Sequence, residues 1–90
     1  MSVGVRFPAL FADRIDGVSR VDVAASTVEG ALRAVVSTHP ELETLILGRR
    51  GGINPLMVVF LNDRQLTTAQ LPTPVKSGDM IDIVPAIEGG

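Results

Sequence analysis

Cysteine, tryptophan and tyrosine are all missing from this chain of 90 residues, and histidine occurs once. Without cysteine there is no disulfide, no thiolate nucleophile and no sulfur-ligated metal site. The one histidine, His39, precedes Pro40, with no second histidine to share a metal and no nucleophile at a telling spacing for it to serve as base. It reads as a solvated residue at a helix end. Positive charge is not in excess: 8 Lys and Arg against 10 Asp and Glu leave a net charge of −2. A nucleic-acid binder would normally show a basic field. No apolar run approaches the roughly 18 residues of a membrane span. The start, Met1-Ser2-Val3-Gly4-Val5-Arg6, has no basic flank leading into a long apolar stretch, so no signal peptide is expected. The expectation is a cytoplasmic protein that meets neither nucleic acid nor membrane. Glycine-rich phosphate loops are also missing, and the acidic residues are scattered without a spacing that nominates a catalytic pair. Nothing here predicts a self-contained enzyme.

What is present is apolar. Hydrophobic residues make up 46% of the chain, but only three are aromatic, all Phe. A single small domain with a core of Val, Ile and Leu is expected. Val3, Val5 and Phe7 alternate with Gly4 and Arg6, the period of a half-buried strand, and Pro8 ends it. Residues 9–18 read as a loop, and Val21 and Val23 mark a second strand that forms a hairpin with the first. Ser26-Thr27-Val28-Glu29 fits a capping box with Ser26 as the cap and Glu29 reaching back. Val28, Ala31, Leu32, Val35 and Val36 then share one helical face, and Pro40 ends the helix. Leu42, Leu45, Ile46 and Leu47 form a shorter apolar cluster that suits a helical turn at the base of the core. Arg49-Arg50-Gly51-Gly52 reads as a solvated loop.

Residues 56–61 predict a strand that is apolar on both faces. Asn62-Asp63 turns into a short return over 64–66, and Ser77-Gly78-Asp79 turns into a last strand from Met80. One main helix after a hairpin, followed by further strands, is α+β architecture with the helix on one face. Right-handed crossover geometry brings the last strand beside the first. The expected fold is β-grasp (ubiquitin-like), a mixed four- to five-stranded sheet with one main helix across one face. Met57, Val59, Leu61, Ile81 and Ile83 then face the helix. Leu56, Val58, Phe60, Met80, Asp82 and Val84 face the other way. Val58, Phe60 and Val84 are left partly bare as a docking surface, unless the 42–47 segment covers them.

The chain closes on Pro85-Ala86-Ile87-Glu88-Gly89-Gly90. Glycine has no Cβ, so the Gly89-Gly90 pair can thread a channel too narrow for other residues. The expected organisation is a body over 1–84 and a flexible tail over 85–90. Extended, those six residues span up to ~20 Å.

Three stretches bear on family: Val3-Gly4-Val5-Arg6-Phe7-Pro8, Ser26-Thr27-Val28-Glu29-Gly30-Ala31-Leu32 opening the helix, and Phe60-Leu61-Asn62-Asp63 leading into a turn. The most specific is Ser77-Gly78-Asp79-Met80-Ile81-Asp82-Ile83-Val84-Pro85-Ala86-Ile87-Glu88-Gly89-Gly90. Together they resemble the ubiquitin-like sulfur carriers of the MoaD/ThiS/CysO family over nearly the whole length. Pro8 and the Pro85-Ala86 pair look closest to the CysO type; Glu88 departs from the small residue often found there.

The resemblance implies a protein cosubstrate that binds no cofactor. Its Gly90 carboxylate would attack the α-phosphate of ATP held by an E1-like adenylyltransferase/sulfurtransferase. The acyl-adenylate would become a thiocarboxylate that donates sulfur in cysteine, cofactor or secondary-metabolite biosynthesis. The implied partners are that activating enzyme, a sulfur-accepting biosynthetic enzyme and a metalloprotease. Two other readings stay open: the MoaD-like small subunit of molybdopterin synthase, and a ubiquitin-like binding module whose Gly-Gly ending is incidental.

Overall fold

A computed structural model describes residues 2–9, 11, 17, 19–48 and 52–86. The alternation at the start of the chain becomes β1 (Val3–Arg6), which turns Val3 and Val5 into the core. It pairs antiparallel with β2 (Arg20–Val23) in the register Val3 to Val23 and Val5 to Val21. Phe7 lies beyond the strand but keeps its rung, its N–H donating to the Ser19 carbonyl at 2.9 Å. In the intervening loop Phe11 is fully buried, 6.1 Å from the Phe7 ring, so a stretch with a loop's composition still supplies a core side chain.

The helix α1 (Val28–Thr38) buries Val28, Ala31, Leu32 and Val35 as its spacing predicts. Its cap differs from the expected one. Thr27, not Ser26, is the N-cap, and its hydroxyl accepts from the Gly30 N–H at 3.0 Å. The reason is tertiary. The segment crossing the helix start supplies the carbonyls of Thr73 and Leu71 to the amides of Val28 and Glu29, and Thr27 itself bridges to Pro74. The Glu29 amide that a Ser26 cap would need is thus already taken by Leu71, and the Glu29 side chain pairs with Arg33 at 3.2 Å. Helix α1 stops before Pro40, which opens a 3-10 turn (Pro40–Leu42) leading into the short α2 (Glu43–Ile46). Leu42, Ile46 and Leu47 close one end of the core.

Strands β3 (Met57–Leu61), β4 (Arg64–Leu66) and β5 (Met80–Pro85) complete the sheet. The β3–β4 turn is two residues long, with Asn62 at φ 49° and Asp63 at φ 74°. Positive φ at both central positions is the turn that matches strand twist, and Asn and Asp tolerate it. Asn62 also ties this turn to the start of β5: its amide donates to Asp79 at 3.0 Å and its carbonyl oxygen accepts from the Met80 N–H at 2.9 Å.

The strand order is β2-β1-β5-β3-β4, with β1 and β5 parallel and the other neighbours antiparallel. That is the β-grasp topology, here with five strands. Helices lie on one face, where Val3, Val5, Val59, Ile81 and Ile83 meet α1. No helix of the described residues is long and apolar enough to cross a membrane.

Candidate functional site

Strand β5 decides what the other face can do. It is central, pairing with β1 over Met80–Asp82 and with β3 over Ile81–Pro85, so what it offers the open face is its side chains. Ile81 and Ile83 point to the helices and are buried; Asp82 and Val84 point away. The pairing with β3 places Val58 opposite Val84 and Phe60 opposite Asp82. Val58 and Phe60 are half-buried and Val84 is 36% exposed. The Leu42 and Ile46 segment belongs to the core on the helix side, so it leaves this face open. The three residues expected to form an apolar docking surface are therefore neighbours on an open sheet face.

That surface grades from apolar to charged. At one end stands Leu56, at 57% the most exposed of the large hydrophobic side chains among the described residues. Next come Val58 and Val84, then Phe60 beside Asp82. Asp82 is held by both arms of the Arg6 guanidinium, with Nη2 to Oδ2 at 2.8 Å. This fork, set by the Arg6 to Asp82 register between β1 and β5, closes the apolar patch on its far side. Leu56 belongs with the candidate contacts, although alternation alone gave no reason to rank it above its neighbours. Its place accounts for the exposure: it precedes β3, its N–H turns back to Asn54, and only its carbonyl carries a rung.

The apolar end of the face is also the end from which the tail leaves. Pro85, assigned to the tail by its sequence, pairs with Met57 within the sheet. Ala86 adds one more rung, its N–H donating to the Leu56 carbonyl at 2.8 Å. Ile87, Glu88, Gly89 and Gly90 lie outside the described residues, as do Arg49 and Arg50. The fixed root of the tail thus adjoins Leu56, Val58 and Val84.

Other candidate chemistry is thin among the described residues. No three His, Cys, Asp or Glu side chains gather as metal ligands. His39 lies 3.8 Å from the Glu41 carboxylate beside the end of α1. A shallow depression of about 170 Å³ between residues 53–55 and 65–68 falls below the roughly 300 Å³ at which ligand sites begin. The one carboxylate buried among the described residues, Asp79, is occupied structurally. It accepts from Asn62 and from the Lys76 N–H, and these hold its pKa below the ordinary carboxylate value.

Comparison with known proteins follows the same lines. The model of the ThiS family matches residues 5–90. A candidate sulfur carrier protein of Archaeoglobus fulgidus is 38% identical over 93 residues, covering 100% of both chains. A chain in the crystal structure of the BexX/CysO complex of Amycolatopsis orientalis superposes with a TM-score of 0.85 at 27% identity, over 98% of this chain and 99% of that one. SAMP1 from Haloferax volcanii gives 0.83 at 27% identity, over 100% of each.

Proposed function

The chain belongs to the ThiS family, and from that premise we propose that it is a sulfur carrier, a protein cosubstrate whose working group is the α-carboxylate of Gly90. The observation that carries this reading is the extent of the match. It runs through residue 90 and so includes Gly89-Gly90, and the A. fulgidus relative aligns end to end.

A carboxylate is ionised at neutral pH and is a poor electrophile, so it must be activated before sulfur can be attached. In the proposed sequence an E1-like adenylating enzyme binds ATP. An oxygen of the Gly90 carboxylate attacks the α-phosphorus and pyrophosphate leaves. The resulting acyl-adenylate is attacked at its carbonyl carbon by hydrosulfide released from a donor. The carbon–oxygen bond to AMP breaks, and a thiocarboxylate remains. That sulfur then passes to an acceptor enzyme in cysteine, cofactor or secondary-metabolite biosynthesis. A metalloprotease is the proposed partner for trimming any extension beyond Gly90. This chain contributes the handle and its placement; the chemistry belongs to its partners.

The open face serves as the docking surface in this proposal. Val58, Phe60 and Val84 seat the adenylating enzyme, with Leu56 at the tail root. Apolar side chains on the uncovered face of a central strand suit a partner better than solvent. The CysO chain was crystallised with BexX, which fits a fold that works by docking.

The test is mass spectrometry of the intact protein after incubation with ATP, a cognate adenylating enzyme and a sulfur donor. The expected product carries one sulfur in place of one oxygen, located on Gly90. Pyrophosphate exchange should depend on this chain. An unchanged mass together with no exchange would overturn the carrier reading in favour of a binding module.

A further inference from the structure

The sheet has two edges, and they are not equivalent. Along β2 the bonded rungs to β1 fall at Ser19, Val21 and Val23, because Phe7 donates to Ser19 and bonded and non-bonded pairs alternate along an antiparallel ladder. Arg20 and Asp22 therefore turn their N–H and C=O groups away from the sheet. Among the described residues no strand pairs with that edge. At β4 the two-residue turn makes Leu61 and Arg64 the first bonded pair, so only Gln65 faces outward before the chain leaves into a 3-10 turn (Thr68–Gln70). Strand β2 offers a template for another strand and β4 does not.

We propose that β2 pairs antiparallel with β2 of a second copy of this chain, with Arg20 of each copy opposite Asp22 of the other. The side chains select this arrangement. Arg20 and Asp22 stand on the same face, 52% and 59% exposed, and within one copy the Arg20 guanidinium donates to the Asp22 carboxylate at 3.0 Å, a pairing that the dimer extends across the seam. Sliding to the neighbouring registers of the same hydrogen-bonding phase sets Arg20 against Arg20, or Asp22 against Asp22. Only the intermediate register is complementary at both positions, and opposite charges across a ladder attract where like charges repel. In it the outward groups of Arg20 and Asp22 bond reciprocally. The half-buried Val21 meets its counterpart on the two-fold axis, on the helix side of the sheet. Isologous contact of this kind closes at a dimer.

The geometry leaves the proposed docking surface usable. The two five-stranded sheets continue into one, with β1 and β5 lying between the new seam and β3. The two-fold axis runs through the sheet, so both open faces lie on the same side, with Val58, Phe60 and Val84 uncovered. So short a ladder is on the scale of transient contacts, below about 1,200 Å² of buried surface. The association is weak, concentration-dependent and salt-sensitive.

Sedimentation equilibrium on the purified full chain, from micromolar to millimolar and at low and high salt, measures it directly. The wild type is expected to dimerise within that range. Arg20→Asp and Asp22→Arg each set like charges opposite one another at both positions and should weaken the dimer at least about tenfold. An equimolar mixture of the two variants is complementary again and should form a heterodimer. The double variant R20D/D22R should recover the homodimer, which also shows that loss in the single variants is not misfolding. A wild type that stays monomeric at millimolar concentration overturns the proposal. So does an R20D dimer of undiminished strength, or a mixture and a double variant that both remain monomeric.

Discussion

Ile83 and Val84 are consecutive residues of one strand, and the structure assigns them opposite fates under the same kind of truncation. Ile83 is 1% exposed and lies opposite Val59, itself fully buried, within the cluster beneath α1. Ile83→Ala removes apolar volume where the surroundings, held by a central strand, cannot collapse to fill it. Such changes cost about 2–5 kcal/mol. A domain of this size has roughly 5–13 kcal/mol in total at ~0.05–0.15 kcal/mol per residue, so the loss is a large share. At ~4–8 °C per kcal/mol for a domain of this size, the melting temperature should fall by about 8–40 °C. Val84→Ala trims a side chain that is 36% exposed on the open face and should stay within ~0.5 kcal/mol. Urea titration and thermal melts followed by circular dichroism read both variants. A loss below ~1 kcal/mol for Ile83→Ala, or an equal loss for Val84→Ala, would refute the assignment of the two faces.

Three further outcomes are expected. Deleting Gly90, or adding a residue after it, should abolish adenylation without moving the melting temperature; an extended chain that still supports pyrophosphate exchange, with no protease present, would show that carboxylate placement is not limiting. Phe60→Asp introduces a charge beside the Arg6–Asp82 fork and should weaken binding of the adenylating enzyme at least about tenfold, in the range lost when an interface anchor is removed; unfolding instead would place Phe60 in the core. Asp79 has its folded pKa lowered, first by the Asn62 hydrogen bond and then by the Lys76 N–H, so its contribution to stability is complete above the unfolded carboxylate's pKa and is lost as pH falls through the folded one. Asp79→Asn should therefore flatten the decline of melting temperature in acid, below about pH 4, and an unchanged slope would remove Asp79 from the acid response.

What could be read from the sequence was whatever local pattern controls. Alternation at Val3 and Val5, the 28–36 face and the turn at Asn62-Asp63 each became the expected element, because side-chain period and φ preference act over a few residues. Burial of Phe11 could not be read that way, since a loop's course depends on what it crosses. The helix cap failed for a related reason. Ser26 satisfies the local rule, but carbonyls from Thr73 and Leu71, more than 40 residues along the chain, take the amides of Val28 and Glu29, the second of which a Ser26 cap would need. The apolar face of Val58, Phe60 and Val84 was legible as soon as one helix was counted against a strand apolar on both sides. The rank of Leu56 within it was not, because its exposure comes from its position at the end of the ladder, where its N–H turns back to Asn54.

The end of the sheet also limits where a partner can stand. Among the described residues Ala86 is the last with a rung, so the reach beyond it is at most that of 87–90 and not of the whole segment from Pro85. Those residues, fully extended, span up to ~14 Å, against ~20 Å for the six counted from Pro85. An enzyme acting on the Gly90 carboxylate must bring its reacting atoms within that distance of Ala86. A protein-sized partner so close necessarily approaches Leu56, whose carbonyl holds the Ala86 amide and whose side chain is 57% exposed. Proximity therefore singles out the Leu56–Val84 end of the open face as the part any such partner meets, whichever enzyme it is. The Arg6–Asp82 fork, farther along the sheet, is then free to differ between partners, because contact there is a matter of selectivity and not of reach.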